Sequence, residues 1–383
     1  MAKNINNKPF DEGTLLKLDI FRKCFREWYP VFVHDHVSKY VCVFDMFAGS
    51  GYDSTGNNGS PLILLDEARG KDSCHCRFIQ SPDYTKQIFF CFNELVKKKF
   101  DELQSNIDHH LKACKEEFHC VSCPIQKNLK LYNKPFHTLI SSRAINDILQ
   151  RKDIAKFVLM DQYGIKEVTD EIFKMLVSSP TTDFIFFISS QTIKRFSEMD
   201  AIKKYFDVKR INFDNTKPKE CHRIVKEYFE DLIPEGKEYY LHSFTIHKAS
   251  NYYGLIFGTS HSLGMEKFLK VCWDEDSLSG DSNCNIDNDY EADSLFYDES
   301  KSSRKVKMKQ EIKNEILNGR ITDNASGMKF TLKKGCLPKL FVEVVKELIH
   351  EKRITLDGKF NSTATKIHTI RSGDEHYYKI RTI

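Results

Sequence analysis

Residues 40–51 read YVCVFDMFAGSG: a β-rich apolar run, closed by Asp45, that passes directly into a turn containing Gly49 and Gly51. Tyr, Val and Phe at 40–44 favour a strand. Glycines in the turn that follows let the backbone approach a ligand closely, so a strand feeding such a turn is a nucleotide-binding arrangement. The acid at the strand end makes the pattern more specific than Gly-x-Gly alone.

Outward from this stretch the same logic repeats. Upstream, residues 14–29 (TLLKLDIFRKCFREWY) place Leu15, Leu18, Phe21, Phe25 and Trp28 at three- and four-residue steps, an amphipathic helix. Downstream, 87–92 predicts a second strand, followed by Asn93, Glu94 and a helix beginning at Leu95. A third strand is read at 129–132 with Asn133 at its end, and a fourth at 155–160, running into Asp161-Gln162-Tyr163-Gly164. Residues 183–188 form a fifth, apolar after its first residue, as in buried parallel strands. Residues 238–247 and 252–259 read as an antiparallel pair. Strands alternating with helices predict a Rossmann-like, doubly wound α/β sheet, mostly parallel with an antiparallel edge pair. Ligands in such sheets sit at the carboxyl ends of the strands, so Asp45, Glu94 and Asp161 are expected around one crevice. Glu94 stands where such folds hold ribose hydroxyls; a helix-start acid favoured by the macrodipole would look the same.

The chain has 383 residues and is 40% hydrophobic, enough for one large domain and a smaller one. No apolar run approaches the ~18 residues of a membrane helix, and the N-terminus lacks the layout of a signal peptide, so a cytoplasmic location is expected. The 12 cysteines are scattered, and buried free thiols are expected in preference to disulfides. Cys114, His119, Cys120 and Cys123, after His109 and His110, contain one C-x2-C pair without a second, and structural cysteines are read there ahead of a zinc site. Charge is uneven. Residues 274–299 hold ten acids and no Lys or Arg, whereas 301–383 hold 19 basic and 9 acidic residues. The expected organisation is a main domain at 10–273, an acidic linker at 274–300 and a basic module at 301–383. In that module 305–317 and 337–351 read as helices, 327–334 as β-like, and 353–383 as two strands, a winged-helix-like pattern. Lys333, Lys334, Lys339, Lys366 and Arg371 suit nucleic-acid phosphates, or equally a solvated protein-docking face.

The segments 14–32, FDMFAGSG (44–51), GNNGSPL (56–62), FNEL (92–95), MDQYG (160–164), SFTIH (243–247) and 252–268 resemble the three-Cys-motif partner proteins in order and spacing. That resemblance implies a class I methyltransferase fold and a three-Cys-motif protein as partner. A more distant similarity, to the large-subunit ribosomal RNA adenine-N6 methyltransferases, implies S-adenosylmethionine as cofactor. By it Asp45, Phe47, Gly49, Gly51, Ser60, Glu94 and Asn133 would surround the cofactor, with Gly59 and Pro61 beside it. Lys17, Asp161 and Tyr163 would be catalytic, Asp161 holding a target amino group and Tyr163 stacking on the base. The Asp-Pro-Pro-Tyr of those enzymes is Asp161-Gln162-Tyr163-Gly164 here, which removes both prolines and moves the aromatic one place forward.

Overall fold

The computed structural model describes residues 8–35, 37–70, 87–119, 123–162, 167–189, 218–248, 251–287 and 303–383. Its strands are β1 (Tyr40–Asp45), β2 (Gln87–Asn93), β3 (Leu129–Tyr132), β4 (Ile154–Met160), β5 (Thr182–Ser189), β6 (Tyr240–Lys248), β7 (Asn251–Thr259), β8 (Ile354–Asp357) and β9 (Lys379–Thr382). Helices of eight residues or more are α1 (Glu12–His34), α2 (Ser60–Arg69), α3 (Lys97–Glu117), α4 (Arg143–Gln150), α5 (Asp170–Ser178), α6 (Cys221–Glu230), α7 (Ser262–Glu275), α8 (Arg304–Leu317), α9 (Asn324–Lys333) and α10 (Pro338–His350).

The first seven strands form one sheet of order β3-β2-β1-β4-β5-β7-β6. β1 pairs in parallel with β2 and β4, β2 with β3, and β4 with β5. This is the mostly parallel, doubly wound sheet expected from the sequence. All seven residues of β4, IAKFVLM, are buried, as a central parallel strand covered on both faces requires. Each side of β1 meets a strand in register, so Asp45 lies opposite Phe92 on β2 and Leu159 on β4. The carboxyl ends of three strands therefore converge beside Asp45.

Helix α1 starts where Asp11 accepts a hydrogen bond from the Thr14 amide at 2.9 Å, and it continues through Pro30 beyond the expected end at 29. Its apolar stripe covers the sheet. Phe25 and Trp28 lie 5.5 and 5.1 Å from the Phe157 ring of β4, and Trp28 Nε1 donates to Asp183 of β5 at 2.7 Å. Phe157 is 1% exposed, so Phe157→Ala is expected to cost about 3–5 kcal/mol. The check is a lower urea midpoint with unchanged denaturant slope.

Two further polar groups sit inside this sheet. Lys156 is fully buried, and its ammonium donates to the carbonyls of Leu149 (3.1 Å) and Arg151 (2.6 Å). Desolvation lowers its pKa to about 8. Cys42, its register partner on β1, is held far up the scale by its hydrogen bond with Cys91 and by burial. Cys24, Cys42, Cys91, Cys272 and Cys336 are buried free thiols.

The chain divides into two compact units, Met1–Glu235 with Lys248–Phe257, and Gly236–His247 with Gly258–Ile383. This differs from a boundary at 273/274. Residues 276–287 are packed within the second unit rather than extended as a linker. The Thr245 amide donates to the Asp281 carbonyl at 2.6 Å, Ser282 is buried, and Asp281 pairs with Arg304. The acids there have partners, which a charge count cannot show; residues 288–302 lie outside the described residues.

In the second unit, three helices (α8, α9 and α10) precede an antiparallel β8–β9 ribbon. The β-like reading of 327–334 is corrected: that stretch belongs to helix α9. Asp323 caps it, accepting from the Ser326 amide at 2.8 Å. Gly327, which reads as a helix breaker, is there because a Cβ would sit 2.1 Å from the Phe341 ring of α10. Thr331 turns its hydroxyl back to the Gly327 carbonyl at 2.8 Å. Packing against α10 thus overrides weak helix propensity. Lys309 and Lys313 of α8 bond Glu343, Glu347 and Glu351 at 3.0–3.1 Å, tying α8 to the end of α10. Among the described residues no helix is long and apolar enough to cross a membrane.

Candidate active site

Asp45 ends β1 with no solvent exposure. Its carboxylate accepts from the Ser60 hydroxyl at 2.6 Å and the Phe47 amide at 3.1 Å. Burial pushes its pKa up to about 7 against those two hydrogen bonds, with the charges of Asp161 and Glu94 adding to the rise. Asp45, Glu94 and Asp161 thus lie near enough for their charges to act on one another.

The turn after Asp45 has Gly49 at φ 63° and Gly51 at φ 91°, left-handed conformations that glycine adopts without strain. Glu94 closes the turn from the neighbouring strand: one carboxylate oxygen accepts from the Gly49 amide at 3.0 Å, the other from the Val96 amide at 2.8 Å. Two bonds to backbone hold that carboxylate against the turn. The helix after it begins at Lys97 rather than Leu95, and Leu95 is exposed. Ser60, in the first turn of α2, orients Asp45. Phe47 packs on Phe136 with centroids 5.0 Å apart. Asn133 donates to the carbonyls of Glu94 (2.7 Å) and Leu95 (2.9 Å), so its amide fixes the loop that carries Glu94.

Just past the end of β4, Asp161 meets Lys17 of α1 across 144 residues of sequence, the ammonium 2.8 and 2.6 Å from the two carboxylate oxygens. The side chains are 12% and 18% exposed, so the pair is screened but not sealed. The ammonium also lies 4.6 Å from the Phe187 centroid and 5.9 Å from that of Phe21. Phe187 is stacked in turn on Tyr253, 5.4 Å away at 20°. Lys17 is thus held by charge and by aromatic faces.

Tyr163 and Gly164 lie outside the described residues. The adjacent Gln162 is 1% exposed and accepts from the Glu167 amide at 2.9 Å. Among the described residues the Gln162 amide nitrogen has no partner.

Three groups were missed in the sequence. Asp53 accepts from the Phe10 amide and from Thr55 and Asn57, and although desolvation opposes it these bonds hold its carboxyl well below the usual carboxylate range. Asp-x-Thr-x-Asn is a turn-forming composition that offers a signal for this. Buried Asn93 ties the Met46 carbonyl (3.2 Å) to the Lys134 carbonyl and amide (3.1 and 3.2 Å). Phe187 gave no signal, because in the sequence it is one more apolar strand residue.

The remaining candidates fall elsewhere. Lys333, Lys339 and Arg371 are exposed in the second unit, and Lys334 pairs with Glu311 at 2.6 Å. His261 caps α7, accepting from the Leu263 amide at 3.2 Å. Among the described residues no three His, Cys, Asp or Glu side chains converge on a metal position; Cys120 lies outside them.

No family model matches the chain, and no curated protein matches it. Solved structures do. TYW2 of M. jannaschii in complex with AdoMet is 13% identical over 65% of this chain and 76% of that one, with a TM-score of 0.28. The O-methyltransferase TomG of Streptomyces achromogenes in complex with SAM is 9% identical over 67% and 98%, with a TM-score of 0.34. The METTL16 MTase domain is 9% identical over 63% and 82%, with a TM-score of 0.31. These likenesses are distant, and the Rossmann-like fold stands on the chain's own strand order and register.

Proposed function

We propose that this chain transfers a methyl group from S-adenosylmethionine to an amino group of a nucleic-acid base, of the adenine-N6 type. The observation that carries the reading is the Lys17–Asp161 pair, held beside the Asp45–Ser60–Glu94 turn at the carboxyl ends of parallel strands.

The residues fit such a cofactor by charge. Three carboxylates against one lysine leave the crevice electronegative, which suits a ligand bearing a sulfonium and an ammonium. Asp45 and the backbone of the Gly49–Gly51 turn would hold it, with Glu94 at the ribose. When bound, the sulfonium supplies an already activated methyl group, so the protein's task is alignment. Asp161 would accept a hydrogen bond from the acceptor N–H, turn the nitrogen lone pair toward the methyl, and take the proton that nitrogen loses as the N–C bond forms and the methyl's S–C bond breaks, leaving S-adenosylhomocysteine. Lys17 holds that carboxylate in place. The exposed Lys333, Lys339 and Arg371 supply phosphate contacts, which position a nucleic acid without reading its sequence.

The test is transfer of labelled methyl from S-adenosylmethionine to DNA and RNA oligonucleotides of single-base composition. Label in adenine-containing strands supports the reading. Cofactor binding with no label in any strand favours an accessory subunit that recognises substrate for a three-Cys-motif partner, a reading favoured by Lys17 already occupying both oxygens of Asp161.

A further inference from the structure

Helix α3 carries Asn106 and His110 one turn apart, on the same face as the buried Leu103 and Ile107. Asn106 donates its amide to the Ser50 carbonyl at 2.7 Å. His110 bridges two groups: its Nδ1 lies 3.1 Å from the Tyr52 hydroxyl and its Nε2 lies 2.8 Å from Asp66 Oδ1. A carboxylate only accepts, so Nε2 donates to Asp66, and in the neutral imidazole Nδ1 then accepts from Tyr52. Burial, with Asp66 close by, pushes the Tyr52 phenol up, in keeping with its role as donor. Asp66 is 1% exposed and accepts from Asn58 at 2.8 Å on its other oxygen. Tyr52 and Asn58 face each other as an antiparallel bridge across the loop. Both limbs of the glycine loop are thereby tied to one carboxylate: Asn58 directly, Tyr52 through the imidazole. Arg69 holds Asp66 from behind at 3.0 Å.

We propose that His110, working through Tyr52 and Asp66, is a positioning residue that holds loop 49–59 in the shape that receives the cofactor. This rests on the reading that the crevice binds S-adenosylmethionine. His110 touches neither cofactor nor acceptor in this account; it acts through the loop. Asp53 with Thr55 and Asn57, and Gly59 with the Gly51 carbonyl, are contacts internal to the loop, whereas Glu94 on the Gly49 amide, Asn106 on the Ser50 carbonyl and Asp53 on the Phe10 amide fix other points of it to the domain. The imidazole also accounts for one member of the His/Cys cluster at 109–123.

The experiment uses the full chain with S-adenosylmethionine as probe and the variants H110F, H110Q and Y52F. Phenylalanine fills the ring volume without polar atoms. Glutamine offers an oxygen to accept from Tyr52 and an NH2 to donate to Asp66. H110F and Y52F are each expected to weaken cofactor affinity about tenfold, with kcat within twofold of wild type. Their combination should be no worse than either alone, because both remove the same link. H110Q should recover affinity to within about threefold of wild type. Amide exchange at 50–58 without ligand should quicken in H110F and not in H110Q. Unchanged exchange and affinity in H110F overturn the proposal, as do additive losses in the double variant. A wild type that fails to bind the cofactor contradicts the functional reading instead, and loop exchange in H110F then decides the clamp by itself.

Discussion

Asp161→Asn is expected to lower methyl transfer about 10²–10⁴-fold, the range for removing a group that handles a proton at the reacting atom. Cofactor affinity should stay within twofold of wild type, because Asp45, the glycine turn and Glu94 are untouched. Asparagine keeps the shape of the side chain but turns one acceptor oxygen into a donor, so the acceptor amine meets N–H where it needs a lone pair. The substitution also leaves Lys17 without its counter-ion in a site where both groups are mostly buried. Breaking such a pair destabilises through the charge left behind. Lys17→Met added to Asp161→Asn should therefore recover stability without recovering transfer, and the thermal midpoint and turnover read the two effects separately. Full turnover by Asp161→Asn would remove Asp161 from the chemistry and favour the accessory-subunit reading.

Asp45→Asn is expected to stabilise the folded chain while abolishing cofactor binding. Burial raises the Asp45 carboxyl to about 7, so folding favours its protonated form. The sign follows directly. The native state keeps the proton between the unfolded carboxylate range near 4 and about 7, and stability falls with rising pH across that window. Above pH 7 the loss is complete, on the order of 4 kcal/mol at most, and asparagine removes it. Urea unfolding at pH 8 should show the variant more stable than wild type, with the difference shrinking as pH falls toward 5. The same proton governs binding: a cationic ligand needs Asp45 ionised, so affinity for S-adenosylmethionine should rise with pH up to about 7 and then level. A buried charge retained at a cost to stability is a mark of a functional site.

The sheet was legible because its signals are local. Each strand from β1 to β5 is a short, largely apolar run with a polar or glycine stop, so its bounds can be read locally, whereas the order β3-β2-β1-β4-β5 is set by the fold. Asp45, Glu94 and Asp161 were placed by their positions at strand ends, and Lys17 by resemblance alone; only the fold closes the 144 residues between it and Asp161. What stayed hidden depends on long-range packing. Gly327 reads as a break in α9 until the Phe341 ring is seen against it. The acids of 274–287 read as solvated until Arg304 and β6 are seen beside them. His110 reads only as a neighbour of the 114–123 cysteines until Asp66 and Tyr52, 44 and 58 residues away, are found on its two nitrogens.

Calorimetric titration of the full chain with S-adenosylmethionine at pH 7.5, beside Asp45→Asn, decides whether the site built on Asp45 receives the cofactor. Micromolar binding by the wild type, about −8 kcal/mol, is expected, with none detected for the variant. No binding by the wild type, or equal binding by both proteins, would contradict it.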